Sequence, residues 1–190
     1  MIALALAVGF GATSASAEYQ AALDAYAAGD FEKAFNEWLA PAEDGDPRAQ
    51  YGLGIMYRNG EWVDEDAAKA AEWLTKSADQ GFAGAQFNLG VMYQKGAGVE
   101  QDDARAAELY ETAARQGMAM AQYNLAVLHQ LGMGVDRDLV EAYVWFTMAG
   151  LQGNMPGATA SDRISVGLTG NERDRGITKI RELLGQPTLP

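Results

Sequence analysis

Ala85-Gln86-Phe87-Asn88-Leu89-Gly90-Val91-Met92-Tyr93 decides the fold, because the chain writes it three times. Thirty-six residues earlier stands Ala49-Gln50-Tyr51-Gly52-Leu53-Gly54-Ile55-Met56-Tyr57. Thirty-six residues later stands Ala121-Gln122-Tyr123-Asn124-Leu125-Ala126-Val127-Leu128-His129. The register continues beyond these stretches. Gly60, Gly96 and Gly132 share a position, as do Val63, Val99 and Val135, and Asp66, Asp102 and Asp138; Gly81, Gly117 and Gly153 close the units. A fixed period kept over so many positions marks stacked supersecondary units, each burying its apolar face against the next.

Each unit reads as two helices. In the second, helix A runs from about Ala85 to Gln94, with Ala85, Leu89 and Met92 at spacings of four and three on one face. Gly96-Ala97-Gly98-Val99 is the turn. Asp102 is the expected N-cap of helix B, its carboxylate accepting from free backbone N–H groups. Helix B then carries Ala106, Leu109, Tyr110, Ala113 and Ala114 to a stop at Gly117. Gly54, Gly90 and Ala126 share one helix-A position. A small residue there lets helix B lie close, which outweighs the roughly 1 kcal/mol that glycine costs inside a helix.

The A-Q-[YF]-x-L-G-x-M-Y run, the glycine turn ending in valine, the aspartate cap and the alanine-aromatic helix B resemble the Sel1-like repeat family, a branch of the tetratricopeptide superfamily. The resemblance covers about Ala49 to Asn154. It implies an all-α, right-handed superhelical solenoid of about ten helices, without a sheet. Two departures stand out. Trp62 replaces the second turn glycine in the first unit, so that turn is expected to differ in backbone conformation. Ala126 and His129 replace the glycine and tyrosine of the third.

The expected organisation is a leader over 1–17, a tetratricopeptide-like capping unit over 18–48, repeats over 49–84, 85–120 and 121–156, and capping helices with a tail over 157–190. Met1 to Phe10 is an apolar run too short to span a membrane, which needs about 20 residues. Ala15-Ser16-Ala17 then fits the small-x-small rule of signal peptidase, placing the mature start at Glu18. No Lys or Arg precedes the run; a buried first helix is the other reading. Tyr19 to Ala40, with Leu23, Tyr26, Gly29-Asp30-Phe31 and Trp38, resembles a plain tetratricopeptide hairpin with a shorter turn. Pro41 and Gly45-Asp46-Pro47 are expected to break the helix before the next unit. Ala158–Val166 and Asn171–Leu184 read as two closing helices, with a capping box at Thr169 and Glu172 and a stop at Gly185 and Pro187. A solenoid needs such atypical ends to cover its last apolar face.

Composition narrows the chemistry. Of 190 residues 48% are hydrophobic, so the chain can build a core. The net charge of -12 disfavours nucleic acid and anionic lipid. With no cysteine and one histidine, the chain lacks disulfides and thiolate sites and is short of parts for triads and zinc. No metal or other cofactor is expected. The acids at 43–46, 64–66 and 100–103 sit at turns and helix starts, where they favour the helix dipole; their spacing fits no calcium loop. The glycine turns carry no preceding strand, so they are hairpin turns and not nucleotide loops. His129 takes the slot of Tyr57 and Tyr93. That predicts a tyrosine substitute packed against helix B; a pH switch or metal ligand is the sharper reading, with no supporting residue nearby in sequence.

The superfamily resemblance places a partner groove on helix A. It falls on Tyr51, Ile55, Arg58 and Asn59 in the first unit, and on Phe87, Val91, Gln94 and Lys95 in the second. In the third it falls on Tyr123, Val127, Gln130 and Leu131. These share one helical stripe. Aromatics supply contact area and polar tips fix register, which suits a peptide segment of another protein; the competing reading is that the aromatics fill joints between units. The middle stripe is the expected heart of the site, with its polar pair exposed. The leading functional reading is an exported, periplasmic or secreted adaptor, scaffold or regulator that binds another protein and is not an enzyme. An envelope hydrolase using paired carboxylates is the alternative from chemistry. Self-assembly through the end faces into a homo-oligomer is the alternative from architecture.

Overall fold

The computed structural model of the chain describes residues 11–186. They form ten helices and no strand, an all-α repeat solenoid. The chain divides into two compact units, Met1–Phe82 and Ala83–Pro190.

The first unit holds α1 (Gly11–Ala27), α2 (Phe31–Glu43), α3 (Pro47–Asn59) and α4 (Ala67–Asp79). The turn between α1 and α2 is short, as expected, with Gly29 at φ 79°. The core gathers Ala22, Ala34, Trp38, Ala49, Leu53 and Met56. Trp38 explains Gly52, since a Cβ there would lie 2.6 Å from the indole. The apolar run Met1–Phe10 lies outside the described residues; Gly11–Ala17 belongs to α1. No helix among the described residues is long and apolar enough to cross a membrane.

The second unit holds α5 (Ala83–Lys95), α6 (Asp103–Arg115), α7 (Ala119–Leu131), α8 (Leu139–Leu151), α9 (Met155–Gly167) and α10 (Gly170–Leu183). Its core centres on Tyr110, Leu125, Leu128, Val144, Trp145 and Phe146. α9 and α10 both pack on α8 and close the array. The capping box at Thr169 and Glu172 is present; Pro187 lies outside the described residues.

Local chemistry sets the helix ends. Asp30, Asp66 and Asp102 each accept from the backbone N–H three residues on, and Asp138 accepts from Val140 and Glu141. Each cap satisfies a donor that the first turn leaves free. Helix A starts at Pro47, Ala83 and Ala119, earlier than the apolar periodicity indicates, because first-turn residues are only partly covered. The small helix-A residue behaves as expected: a Cβ on Gly54 would lie 2.7 Å from Leu74, and one on Gly90 would lie 2.8 Å from Tyr110.

Two expectations are corrected. Pro41 does not break α2 but lies inside it, two residues before its end. There it removes only a last-turn hydrogen bond, and Gly45, at φ 99°, makes the turn instead. The turn of the first repeat keeps the conformation of the others. Trp62 adopts φ 68°, the same left-handed value as Gly134, although it is not glycine.

The repeated glutamine has a structural role that the periodicity did not reveal. Gln50 is buried and donates to the Ala42 carbonyl at 3.1 Å, while accepting from Gln80 at 2.8 Å. Gln122 donates to the Ala114 carbonyl at 3.0 Å, and Gln86 accepts from Gln116 at 2.8 Å. Gln50 and Gln122 thus tie helix A to a carbonyl of the preceding helix B, and Gln86 ties it to a side chain at the end of its own helix B.

Candidate partner-binding site

The three helix-A stripes have different fates. In the first unit Tyr51 and Ile55 line an apolar cleft of about 230 Å³ with Tyr19, Leu23, Tyr26 and Trp38. The Tyr51 ring lies 5.0 Å from that of Phe82, and the Arg48 guanidinium sits 4.6 Å over Tyr19. Arg58 and Asn59 do not line this cleft but join a polar chain that reaches its Tyr26. Arg58 Nε donates to Asn59 Oδ1 at 3.2 Å, and Asn59 Nδ2 donates to Glu61 Oε1 at 3.2 Å. Tyr26 donates to Glu61 Oε2 at 2.7 Å. Burial and then that bond to a carboxylate push the Tyr26 phenol up to about 12.

The second stripe is largely committed to packing. Phe87 lies 5.9 Å from Tyr110, ring to ring, and Val91 packs on the core. Gln94, expected to be exposed, is half-buried, and its Oε1 accepts from the Tyr110 hydroxyl at 3.0 Å. Tyr110 is fully buried, and its hydroxyl must find an acceptor near the helix surface. Lys95 remains exposed.

The third stripe is brought together. Tyr123, Val127 and Gln130 on α7 line a cleft of about 420 Å³ with Phe146 of α8 and with Met155, Thr159 and Arg163 of α9. Tyr123 stacks edge-on against Phe146 at 5.3 Å. Met155 is 71% exposed at the lip, and Leu131, next to Gln130 in sequence, projects into solvent. The α9 half of this cleft escaped the sequence reading because the repeat ends at Gly153. Past that point no register assigns a residue to a face.

One aspartate of each acidic turn, Asp46, Asp66 or Asp102, caps the helix that follows. Asp46 accepts from the Arg48 backbone and side chain, and the guanidinium hydrogen bond holds its carboxyl below the usual range. Among the described residues no group of three His, Asp or Glu is arranged to hold a metal ion.

The Sel1 repeat model matches residues 47–82, 83–118 and 119–154, more than half of the chain. No curated protein matches. The fold is similar to the crystal structure of a Sel1 repeat protein from Oxalobacter formigenes, with TM-score 0.73 and 32% identity over 75% of this chain and 59% of that one. It is also similar to c5321, a protective antigen present in uropathogenic Escherichia coli strains displaying an SLR fold. There the TM-score is 0.80 at 30% identity, over 90% of this chain and 38% of that one. The chain therefore spans less than two thirds of either relative. Sel1 repeat proteins generally mediate protein–protein interaction, and the fold is typically a non-enzymatic scaffold. With three repeats in register and their glycines, caps and glutamines each accounted for, the chain belongs to the Sel1 repeat family.

Proposed function

We propose that the chain is an exported adaptor that holds a peptide segment of another envelope protein against its helix-A face, centred on the third repeat. The observation that carries this reading is the cleft of Tyr123, Val127 and Gln130, walled by Met155 and Arg163. It combines aromatic area, an exposed flexible thioether and two polar tips, the mixture from which binding hot spots are made. Export rests on the apolar run and the Ala15-Ser16-Ala17 site, which would leave a mature chain beginning at Glu18.

A photo-crosslinking residue tests the site. Placed at Gln130, it should give a covalent adduct with a protein of the envelope fraction, and Arg163→Glu should remove that adduct. The same residue at Glu108, exposed on α6, should give none. Equal adducts from both positions would sink the reading. N-terminal sequencing from the native host should find Glu18; an intact Met1 in the cytosol would refute export.

A further inference from the structure

We propose that the cleft between α6, α8 and α10 is a second ligand site, one that takes a lysine or arginine side chain of a protein partner. It does not rest on the helix-A reading, since it lies among different residues and is tested with a small probe.

In the first unit the slot at Tyr57 is full: the Phe35 ring meets it edge-on at 5.9 Å, and the Lys69 ammonium lies 5.3 Å over its face. In register, Ala107 of the second repeat and His129 and Glu141 of the third take these three positions. Two rings of the slot become a methyl group and an imidazole, and the cation becomes a carboxylate. The second repeat still carries Tyr93 and Arg105 there. Where the first unit is filled, the third opens a cleft of about 480 Å³ lined by His129.

Histidine is a poor structural choice for this slot. Among the described residues its Nδ1 is buried and meets no hydrogen-bond partner, a deficit that costs stability. Such a group in a native protein calls for a reason other than packing.

The lining then selects the ligand. Charge comes from Glu111, Arg115, Glu141, Lys179 and Glu182. Arg115 pairs with Glu111 at 2.7 Å, and Lys179 pairs with Glu141. Glu182 has no ion-pair partner among the described residues, so the cleft is one carboxylate in excess. Val144 and Trp145 of α8, with Leu183 of α10, supply apolar surface. An apolar wall beside an uncompensated carboxylate fits a long alkyl stem ending in a cation, the shape of a basic side chain.

Titration of the full chain with N-acetyl-lysine-methylamide or its arginine analogue, followed by the Trp145 indole resonance, tests this. We expect saturable shifts with a Kd of order 1 mM. The norleucine analogue, which keeps the stem and loses the charge, should bind at least tenfold more weakly. Glu182→Gln, at an exposed position, should weaken the lysine probe at least tenfold, and His129→Tyr, which restores the repeat's own residue, should abolish it. No saturation by roughly ten times that concentration overturns the proposal. So does equal binding of norleucine, or wild-type affinity in Glu182→Gln.

Discussion

The turns of the first and third repeats share a backbone and differ in what lies beside it. Trp62 and Gly134 both stand at φ 68°. A Cβ on Gly134 would lie 2.2 Å from the Asp103 backbone, at the start of α6. Trp62 carries a whole indole at the equivalent position and leaves 54% of itself in solvent. The comparison separates two reasons for a turn glycine. Left-handed φ costs an ordinary residue about 1–2 kcal/mol, which a fold can absorb. Collision with a neighbouring backbone cannot be absorbed by rotating a side chain, because the obstacle does not move.

The comparison breaks most directly by exchanging the residues. Gly134→Trp should destabilise the second unit by more than about 4 kcal/mol, and Gly134→Ala by about 3, since even a methyl group enters the Asp103 peptide. Chemical denaturation measures both; an alanine variant within 1 kcal/mol of wild type would mean that the turn is not held against α6.

The entries to the same two repeats differ as well. Asp46 caps α3, whereas Met118 begins α7 with no side-chain cap. Asp46→Met should therefore cost about 1 kcal/mol at neutral pH. The sign with pH follows from the lowered Asp46 pKa. Its contribution is complete above the ordinary aspartate value near 4 and is lost as pH falls through the lower folded value. Thermal melts from pH 6 to 2 should show a shallower acid limb in the variant; identical limbs would remove Asp46 from the account.

The second stripe offers a comparison within one helix. Gln94→Ala should cost about 1 kcal/mol by removing the acceptor of the Tyr110 hydroxyl, while Lys95→Ala should change stability by less than about 0.5 kcal/mol. If both are neutral, the Tyr110 bond contributes nothing to folding. The smallest effect runs the other way. Trp62→Gly should stabilise the first unit by roughly 0.5 kcal/mol, the strain relieved less the greater chain entropy of glycine. A loss of stability instead would mean that the indole packs productively despite its exposure.

The sequence by itself determined the repeat, the helix pairs, the caps at Asp66, Asp102 and Asp138, and the need for small residues at Gly54 and Gly90. These follow from spacing along one chain: the helical period, cap chemistry within three residues, and a repeat that forces every unit into the same packing. Tertiary structure alone decided that Trp62 is tolerated where Gly134 is required, and that Gln94 serves Tyr110. It also decided that Tyr123 finds its cleft only with Met155 and Arg163, beyond the last repeat. The same holds for His129, which has no relevant neighbour in sequence and lines one cleft with Trp145 and Glu182 once α8 packs on α7 and α10 on α8. In each case the outcome depends on what a distant helix presents to the residue, and a local pattern carries no record of that.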